Sequence, residues 1–210
     1  LVCSGDVLLL FNPLQIDFYG KGAAALSIKE PAEIGKNHGV YRVDGAGNVG
    51  GFLHKKTVKQ LQELGAADDQ GNVDIDTGAV ILDSDSLKSL YALIDTDEKF
   101  SAYVNEKARL SFYADFLYPL ASSSTLEQYY QETPEGDFTP ELHACRTELW
   151  NVLHPYQMKL IRMSPAAFIH FGTTKELLQL MTKRMEEFQY LGWTSHIHTN
   201  RVPKLSLIHI

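Results

Sequence analysis

The chain has 210 residues, of which 44% are hydrophobic and 21% are charged, ordinary values for a globular protein with one large core. Its net charge of −7 argues against a nucleic-acid partner, because binding to a phosphate backbone normally requires a basic surface. No apolar run reaches about 18 residues and no basic stretch precedes the apolar start, so we expect neither a membrane segment nor a signal peptide. Two cysteines without a CxxC pattern, Cys3 and Cys145, favour a reducing, cytosolic location.

The first part of the chain predicts strands. Residues 1–11 are nearly all apolar, which is typical of a strand buried on both faces of a parallel sheet. Residues 23–28 predict a second strand, which Pro31 ends. Residues 39–43 and 49–53 flank a turn with two glycines and therefore predict a β-hairpin, whose second arm leads into Lys55 and Lys56.

The hairpin lies in a basic segment of an acidic protein. Residues 18–60 contain seven basic and three acidic side chains, a net charge of +4. Such a segment suits a small anionic substrate. A solvated basic face is the alternative interpretation.

Helices and strands alternate after the hairpin. Thr57 predicts the cap of a short helix to Leu64, residues 74–82 predict a strand, and Asp83 or Ser84 predicts the cap of the next helix. Helical periodicity continues over residues 99–131 and 138–153. Residues 157–163 and 166–171 predict two further strands. This alternation predicts an α/β sheet covered by helices on both faces.

The C-terminal part predicts a helix with a clear start. Thr173 and Glu176 have the spacing of a capping box, an apolar stripe runs from Leu177 through Met185 to Phe188, and Gly192 ends the helix. Residues 193–198 then alternate like a strand. We predict a domain over residues 1–192, followed at residues 193–210 by the start of a β region or by an unrelated tail.

Two aspartates are candidates for chemistry. Asp6 follows a glycine in the first apolar run, where a carboxylate is expensive to bury unless a magnesium ion with phosphate oxygens neutralises it. A turn aspartate bonded to a backbone amide is the equally weighted alternative. Asp115 stands in an aromatic and aliphatic stretch, where it either faces solvent, the favoured interpretation, or is held for a ligand.

Other reactive side chains give weaker signals. His196 and His198 would share one face of a strand, but without a third ligand nearby ordinary surface histidines are favoured over a metal site. No pattern of nucleophile and base is recognisable, so we do not expect hydrolase chemistry.

Five blocks, in this order, resemble the L-fucose-1-phosphate guanylyltransferase family, which includes the pyrophosphorylase half of bifunctional fucokinase enzymes. The blocks are CSGDVL at residues 3–8, HGVY at 38–41, FLHKK at 52–56, DTGAV at 76–80 and HFGTTKELL at 170–178. Their order also follows the wider sugar nucleotidyltransferase pattern. The similarity extends to about Arg201.

The resemblance implies a Rossmann-like, GT-A-like nucleotidyltransferase fold with a mixed sheet and helices on both faces. It further implies that GTP and L-fucose 1-phosphate react with the help of Mg²⁺ to give GDP-L-fucose and pyrophosphate. Because the attacking phosphate is already an anion, such a site needs metal and lysine rather than a general base. The charge pattern of the chain agrees with this requirement.

The resemblance also implies roles for individual residues. Asp6 matches the metal-binding aspartate, and Asp115 is a weaker match for a second metal ligand. Lys55 matches the lysine that meets the sugar phosphate, while Lys56 stands where the family usually has proline and is the alternative contact. Residues that match the lining of the sugar pocket are Gly39, Thr77 and Gly78.

Family members place a glycine-rich nucleotide loop upstream of the Gly-Asp strand. We therefore expect the 210-residue chain to lack much of the nucleotide site and to have little activity alone. A C-terminal β-helical region is also implied, with a start near residue 193. Two alternatives remain open: another sugar 1-phosphate, such as a hexose or N-acetylhexosamine 1-phosphate with UTP, and a module that binds sugar nucleotides without catalysis.

Overall fold

The computed structural model describes residues 1–18 and 20–182, which fall into two units, Leu1–Ile169 and the described part of His170–Ile210. The strands are β1 (Val2–Cys3), β2 (Val7–Phe11), β3 (Ala23–Pro31), β4 (Gly39–Val43), β5 (Val49–His54), β6 (Asn72–Leu82), β7 (Met158–Arg162) and β8 (Ala166–His170). The α-helices are α1 (Ala32–Gly35), α2 (Val58–Glu63), α3 (Ser84–Tyr91), α4 (Asp97–Tyr103), α5 (Leu126–Gln131), α6 (Pro140–Leu153) and α7 (Thr174–Thr182). A π-helix spans Phe112–Leu117, and 3₁₀-helices span Pro13–Gln15 and Tyr118–Leu120.

A mixed sheet forms the centre of the larger unit. Its strand order is β5-β4-β6-β3-β7, and β1 also pairs with β6. Strand β3 runs parallel to β7 and antiparallel to β6, while β4 runs antiparallel to both β5 and β6. The predicted α/β class and mixed sheet are therefore confirmed.

Helices pack against both faces of this sheet. Leu149 of α6 lies in one core cluster with Ala23 and Ala25 of β3, whereas Leu61 of α2 lies in a second cluster with Leu26. Successive residues of a strand point to opposite faces, so one strand supplies both cores. Each fully buried leucine side chain contributes about 2 kcal/mol to this packing.

The prediction of one buried parallel strand over residues 1–11 is wrong. Val2 and Cys3 pair antiparallel with Val80 and Ala79 of β6, whereas β2 pairs with β8 in a separate two-stranded sheet. All five residues of β2 are only half-buried. The polar sequence Ser4-Gly5-Asp6 interrupts the ladder, and each side of the interruption pairs with a different partner.

Local hydrogen bonds define the hairpin and the first caps as predicted. Asp44 Oδ1 accepts hydrogen bonds from the amides of Ala46 and Asn48, both at 2.9 Å, and so closes the turn between β4 and β5. Thr57 and Gln60 form a capping box at the start of α2. Asp83 accepts from the Ser86 amide at 2.7 Å and caps α3.

The helical segment predicted over residues 99–131 consists of several short pieces. Three hydroxyl side chains each accept a hydrogen bond from the amide three residues later and so cap the start of a new helix. They belong to Thr96, Ser111 and Thr125. They begin α4, the π-helix and α5, respectively. Pro119 opens the 3₁₀-helix that separates the last two. The hydrophobic periodicity of the sequence continues across these helix boundaries, so it does not reveal where one helix ends and the next begins.

The later predictions are confirmed as far as the described residues extend. Thr139 caps α6, β7 and β8 follow it, and the smaller unit begins α7 with the predicted capping box of Thr173 and Glu176. The predictions for Met185, Phe188 and residues 192–210, including His196, His198 and the boundary after residue 192, lie outside the described residues. No helix in the described ranges is long and apolar enough to cross a membrane.

Candidate functional site

Asp6 lies in the connection between β1 and β2, beside the end of the DTG block. The Ser4 amide donates a hydrogen bond to the Gly78 carbonyl at 2.7 Å, which ties this connection to β6. The hydroxyl oxygens of Ser4 and Tyr113 are 3.4 Å apart. Burial raises the pKa of Tyr113, and the negative charges of Asp76 and Asp6 raise it further. Asp6 and Asp76 therefore both act electrostatically on Tyr113.

Asp76 is a functional candidate that sequence analysis missed. It is only 5% exposed, and its Oδ1 accepts hydrogen bonds from the Tyr41 hydroxyl at 2.8 Å and the Gly78 amide at 2.9 Å. Its Oδ2 accepts no hydrogen bond from residues in the described ranges and is not fully enclosed. Burial raises its pKa from 3.8 to about 6, although the bonds from Gly78 and Tyr41 lower it.

One signal in the sequence could have identified Asp76. Strand β6 is almost entirely buried yet carries two carboxylates, Asp74 and Asp76. Buried charges normally have a partner. Arg162 supplies it for Asp74 through two hydrogen bonds of 2.6 and 2.9 Å. Asp76 has no such partner among the ion pairs of the described residues. The sequence thus indicates two unusual carboxylates in β6, but only the structure shows which of them lacks a cation.

The two glycines predicted to line the sugar pocket surround Asp76. A Cβ atom on Gly39 would lie 3.2 Å from the Asp76 Cβ and even closer to the Phe52 ring. Gly78 has a φ of 69°, and a Cβ atom there would collide with the Ser4 side chain. Phe52 and Ser4 therefore occupy the space that a side chain at Gly39 or Gly78 would need. The Thr77 hydroxyl donates a hydrogen bond to the Leu26 carbonyl at 2.7 Å, so this side chain links β6 to β3.

A polar cleft of about 640 Å³ adjoins this group along the edge strand β5. It lies between β5 and the segments around the π-helix and α5. Its polar lining residues are Arg42, His54, Lys56, Ser111, Tyr113, Tyr118, Ser123, Ser124, Gln128, Gln131, Glu132, Thr133 and Glu135. Tyr113 belongs both to this cleft and to the group around Asp76, and thus connects the two.

The two predicted phosphate-binding lysines occupy different environments. Lys56 is half-buried and lines the cleft, whereas Lys55 is exposed and is not among the lining residues. Lys55 adopts a φ of 48°, which turns the chain sharply after His54. Burial lowers the pKa of His54, and the positive charges of Lys55 and Lys56 lower it further. Glu135 has the opposite effect and raises the pKa of His54.

The cleft contains cationic groups that an anion could approach. The Arg42 guanidinium lies against the neighbouring Gly51, where a Cβ would be in ordinary van der Waals contact with it at 3.4 to 3.6 Å. Within the described ranges neither Arg42 nor Lys56 has a carboxylate within 4.0 Å. Burial raises the pKa of Glu132, while Lys56 and Arg146 lower it. Arg42 and Lys56 share the cleft with Glu132 and Glu135, so its lining carries charges of both signs.

Asp115 is neither solvent-facing nor placed to hold a metal ion, and both earlier interpretations are corrected. It is 0% exposed, its Oδ1 accepts from Arg146 Nε at 2.7 Å, and its Oδ2 accepts from the Ser111 amide at 2.6 Å. Both oxygens thus have strong internal donors, one of them charged. Sequence analysis missed this pair because its members are 31 residues apart.

A magnesium ion has few protein ligands available here. The described residues contain no group of three His, Cys, Asp or Glu side chains that could enclose a metal. Magnesium bound through one or two carboxylates and completed by substrate phosphates does not need such a group.

Comparison with known proteins identifies the family. The family model of the fucose pyrophosphorylase domain matches residues 1–206, and no curated protein matches the chain. The match covers nearly all 210 residues and includes the five sequence blocks, the cleft and the group around Asp76. The chain therefore belongs to the fucose pyrophosphorylase family, a family of sugar-1-phosphate guanylyltransferases, as the resemblance implied.

Proposed function

We propose that the protein transfers the guanylyl group of GTP to L-fucose 1-phosphate, giving GDP-L-fucose and pyrophosphate. A phosphate oxygen of the sugar phosphate attacks the α-phosphorus of GTP, the bond from that phosphorus to the bridging oxygen breaks, and pyrophosphate leaves with the electron pair. The observation that carries this proposal is a polar cleft that contains Lys56 and Tyr113, whose hydroxyl lies 3.4 Å from Ser4 Oγ in the connection that carries Asp6.

The proposed reaction requires charge compensation rather than proton transfer. Both reactants are anions, so their approach is unfavourable until positive groups surround the phosphates. Lys56 faces the cleft, and we propose it as the contact to the sugar phosphate; Lys55 remains the family match for the same role. Arg42 lies in the same cleft and adds a second positive charge.

Asp6 is the carboxylate that we propose for Mg²⁺. When bound, the ion would neutralise negative charge on the phosphates. Asp76 is assigned instead to the sugar, because Gly39 and Gly78, the matches to the sugar-pocket lining, lie beside it and its Oδ2 accepts no hydrogen bond from the described residues. We also propose a cytosolic location, since both cysteines are free thiols.

Turnover and binding measurements test this assignment. Pyrophosphate release by the full-length protein is measured with GTP and L-fucose 1-phosphate, and with UTP and hexose or N-acetylhexosamine 1-phosphates. We expect turnover with the first pair and little with the others. A preference for UTP would replace the proposed substrates. Ligand-induced rises of the unfolding midpoint without any turnover would indicate a non-catalytic binding module.

A further inference from the structure

We propose that Tyr113 contacts the substrate and that the buried pair Asp115–Arg146 acts as its positioning device. This inference rests on the proposed function, because it names a further contact at the same site. It also gives Asp115 a role that replaces the metal-binding role implied by resemblance.

Tyr113 occupies the junction of the site. Its ring is nearly parallel to those of Phe52 and His54, with centroid distances of 5.8 and 5.9 Å and interplanar angles of 6° and 13°. Its hydroxyl is 3.4 Å from Ser4 Oγ, in the connection that carries Asp6. A ligand that reaches from the cleft towards Asp6 therefore passes this phenol.

The backbone around Tyr113 has an uncommon conformation that needs support. Tyr113 is the second residue of the π-helix Phe112–Leu117, and such turns are rare and often occur at functional sites. Asp115 closes the turn: its amide donates to the Ser111 carbonyl at 2.9 Å, and its Oδ2 accepts from the Ser111 amide at 2.6 Å. Tyr113 lies midway between these two anchored residues.

Arg146 fixes the turn to α6. Its Nε donates to Asp115 Oδ1 at 2.7 Å, and its Nη1 donates to the carbonyls of Tyr129, Tyr130 and Glu132 at 3.1, 3.3 and 2.9 Å. The Tyr129 hydroxyl completes the link by donating to the Asp115 carbonyl at 2.7 Å. One guanidinium thus holds two chain segments against each other.

Both segments form walls of the cleft. Ser111, Tyr113 and Ala114 line it from the π-helical segment, and Gln131 and Glu132 line it from the segment that Arg146 holds. Apolar side chains of similar volume often stabilise a core as well as a buried ion pair does. The directional hydrogen bonds of Asp115 and Arg146 instead fix the position of one cleft wall relative to the other. Tyr113, which lies in one of these walls, is thereby held in place.

A double-mutant cycle tests the path from Arg146 to Tyr113. In the full-length protein, Tyr113→Ala is expected to lower kcat/KM about tenfold, as loss of a substrate hydrogen bond does. Arg146→Lys is expected to lower kcat/KM about as much in the wild type but by less than about twofold in the Tyr113→Ala background. Full additivity would overturn the inference, because the pair would then act independently of Tyr113.

A matched control separates positioning from stability. Val73 is fully buried in the other core cluster, so Val73→Ala lowers the unfolding midpoint without a direct link to the cleft. We expect this variant to keep kcat/KM within about twofold of the wild type when assayed below its midpoint. A fall equal to that of Arg146→Lys would show that the loss is merely structural and would overturn the inference.

A spectroscopic readout decides the question without turnover. The ten tyrosines are replaced by 3-fluorotyrosine, and the Tyr113 signal is assigned by its absence in Tyr113→Phe. Arg146→Lys is expected to shift this ¹⁹F signal, whereas Val73→Ala leaves it in place; an unmoved signal would overturn the inference. If Arg146→Lys does not fold, Asp115→Glu, which keeps the charge pair but lengthens one arm, is measured instead. Absence of turnover in the wild type would refute the proposed function alone.

Discussion

Asp115 and Asp76 are both almost completely buried, but their charges are balanced in different ways. Asp115 is 0% exposed and forms an ion pair with the equally buried Arg146. Asp76 is 5% exposed, and its hydrogen-bond donors, Tyr41 and the Gly78 amide, are both neutral. Burial accordingly raises the pKa of Asp76 to about 6. A carboxylate whose charge the fold already compensates serves structure, whereas one left without a cation is available to a ligand.

The two regions also differ in what surrounds the carboxylate. Asp115 is enclosed by the π-helix, α5 and α6, and each of its oxygens has a donor. Asp76 lies beside Gly39 and Gly78, and the Gly78 carbonyl accepts a hydrogen bond from Ser4 in the connection that carries Asp6. Substitutions at each carboxylate and at its neighbours should therefore have different effects on stability and on activity.

Removing Arg146 should have the largest effect on stability. In Arg146→Leu the Asp115 carboxylate remains buried without its cation, and the free energy of unfolding should fall by about 3 to 5 kcal/mol. Urea denaturation of both proteins measures the change. The exposed pair of Lys107 and Glu141, 2.8 Å apart, supplies the control, because Lys107→Met should leave stability essentially unaltered.

The same experiment has a second arm. Asp115→Leu combined with Arg146→Met removes both charges and should recover part of the stability that Arg146→Leu loses, while the carbonyls that Arg146 bonds stay without this donor. A small loss in Arg146→Leu, similar to that of Lys107→Met, would contradict the structural role of the pair.

Replacing Asp6 should have the largest effect on catalysis. Asp6→Asn keeps the size of the side chain but removes the charge proposed to hold Mg²⁺, so kcat of the full-length protein should fall about a hundredfold or more. Initial rates of pyrophosphate release measure this loss. Asp69→Asn, at an exposed loop position, should behave like the wild type. Nearly unchanged turnover of Asp6→Asn would exclude Asp6 from the reaction.

Asp76→Asn should make the protein more stable and less active. Its pKa is raised from 3.8 to about 6, so the folded protein binds more protons than the unfolded chain between these values. The stabilising effect of the protonated group is present below about pH 4 and disappears as the pH rises to about 6. Asparagine remains neutral, so the variant should gain up to about 3 kcal/mol over the wild type above pH 6 and less at lower pH.

Denaturation at several pH values, together with sugar-phosphate affinity, checks the Asp76 prediction. Asp74→Asn in the same strand is the control and should lower stability, because Arg162 then loses its carboxylate. If Asp76→Asn instead destabilised the protein at pH 7 as Asp74→Asn does, the two carboxylates of β6 would have the same structural role.

The lysine variants should give the smallest effects, and they test which lysine contacts the sugar phosphate. Lys56→Met should weaken binding of L-fucose 1-phosphate about tenfold, as loss of a charged hydrogen bond does, and Lys55→Met should weaken it less. Titration calorimetry measures both affinities. Lys59→Met, on the exposed surface of α2, should bind like the wild type. The reverse order of the first two variants would assign the phosphate contact to Lys55.

Local elements could be predicted from sequence because their stabilising bonds are local. The turn at Asp44, the capping box of Thr57 and the cap at Asp83 all join residues two to four positions apart. Residues 1–11 were predicted incorrectly because apolar composition does not reveal with which strand each half pairs.

The candidate site depended more on long-range contacts. Its sequence blocks placed Asp6, Gly39, Lys56 and Gly78 around one region, and the structure brings them near Asp76 or the cleft. Tyr113 was absent from that set because its approach to Ser4 spans 109 positions. Asp115 was misassigned because its partner, Arg146, is on another helix. Sequence patterns identified the charged side chains but not which of them neutralise each other.

The central claim is that an oxygen of the sugar phosphate attacks the α-phosphorus of GTP. L-Fucose 1-phosphate labelled with ¹⁸O on its phosphate oxygens tests this claim directly when the full-length protein turns it over with GTP and both products are examined by mass spectrometry. We predict that the label stays in GDP-L-fucose and that pyrophosphate contains none. Label in the pyrophosphate would contradict the proposed reaction.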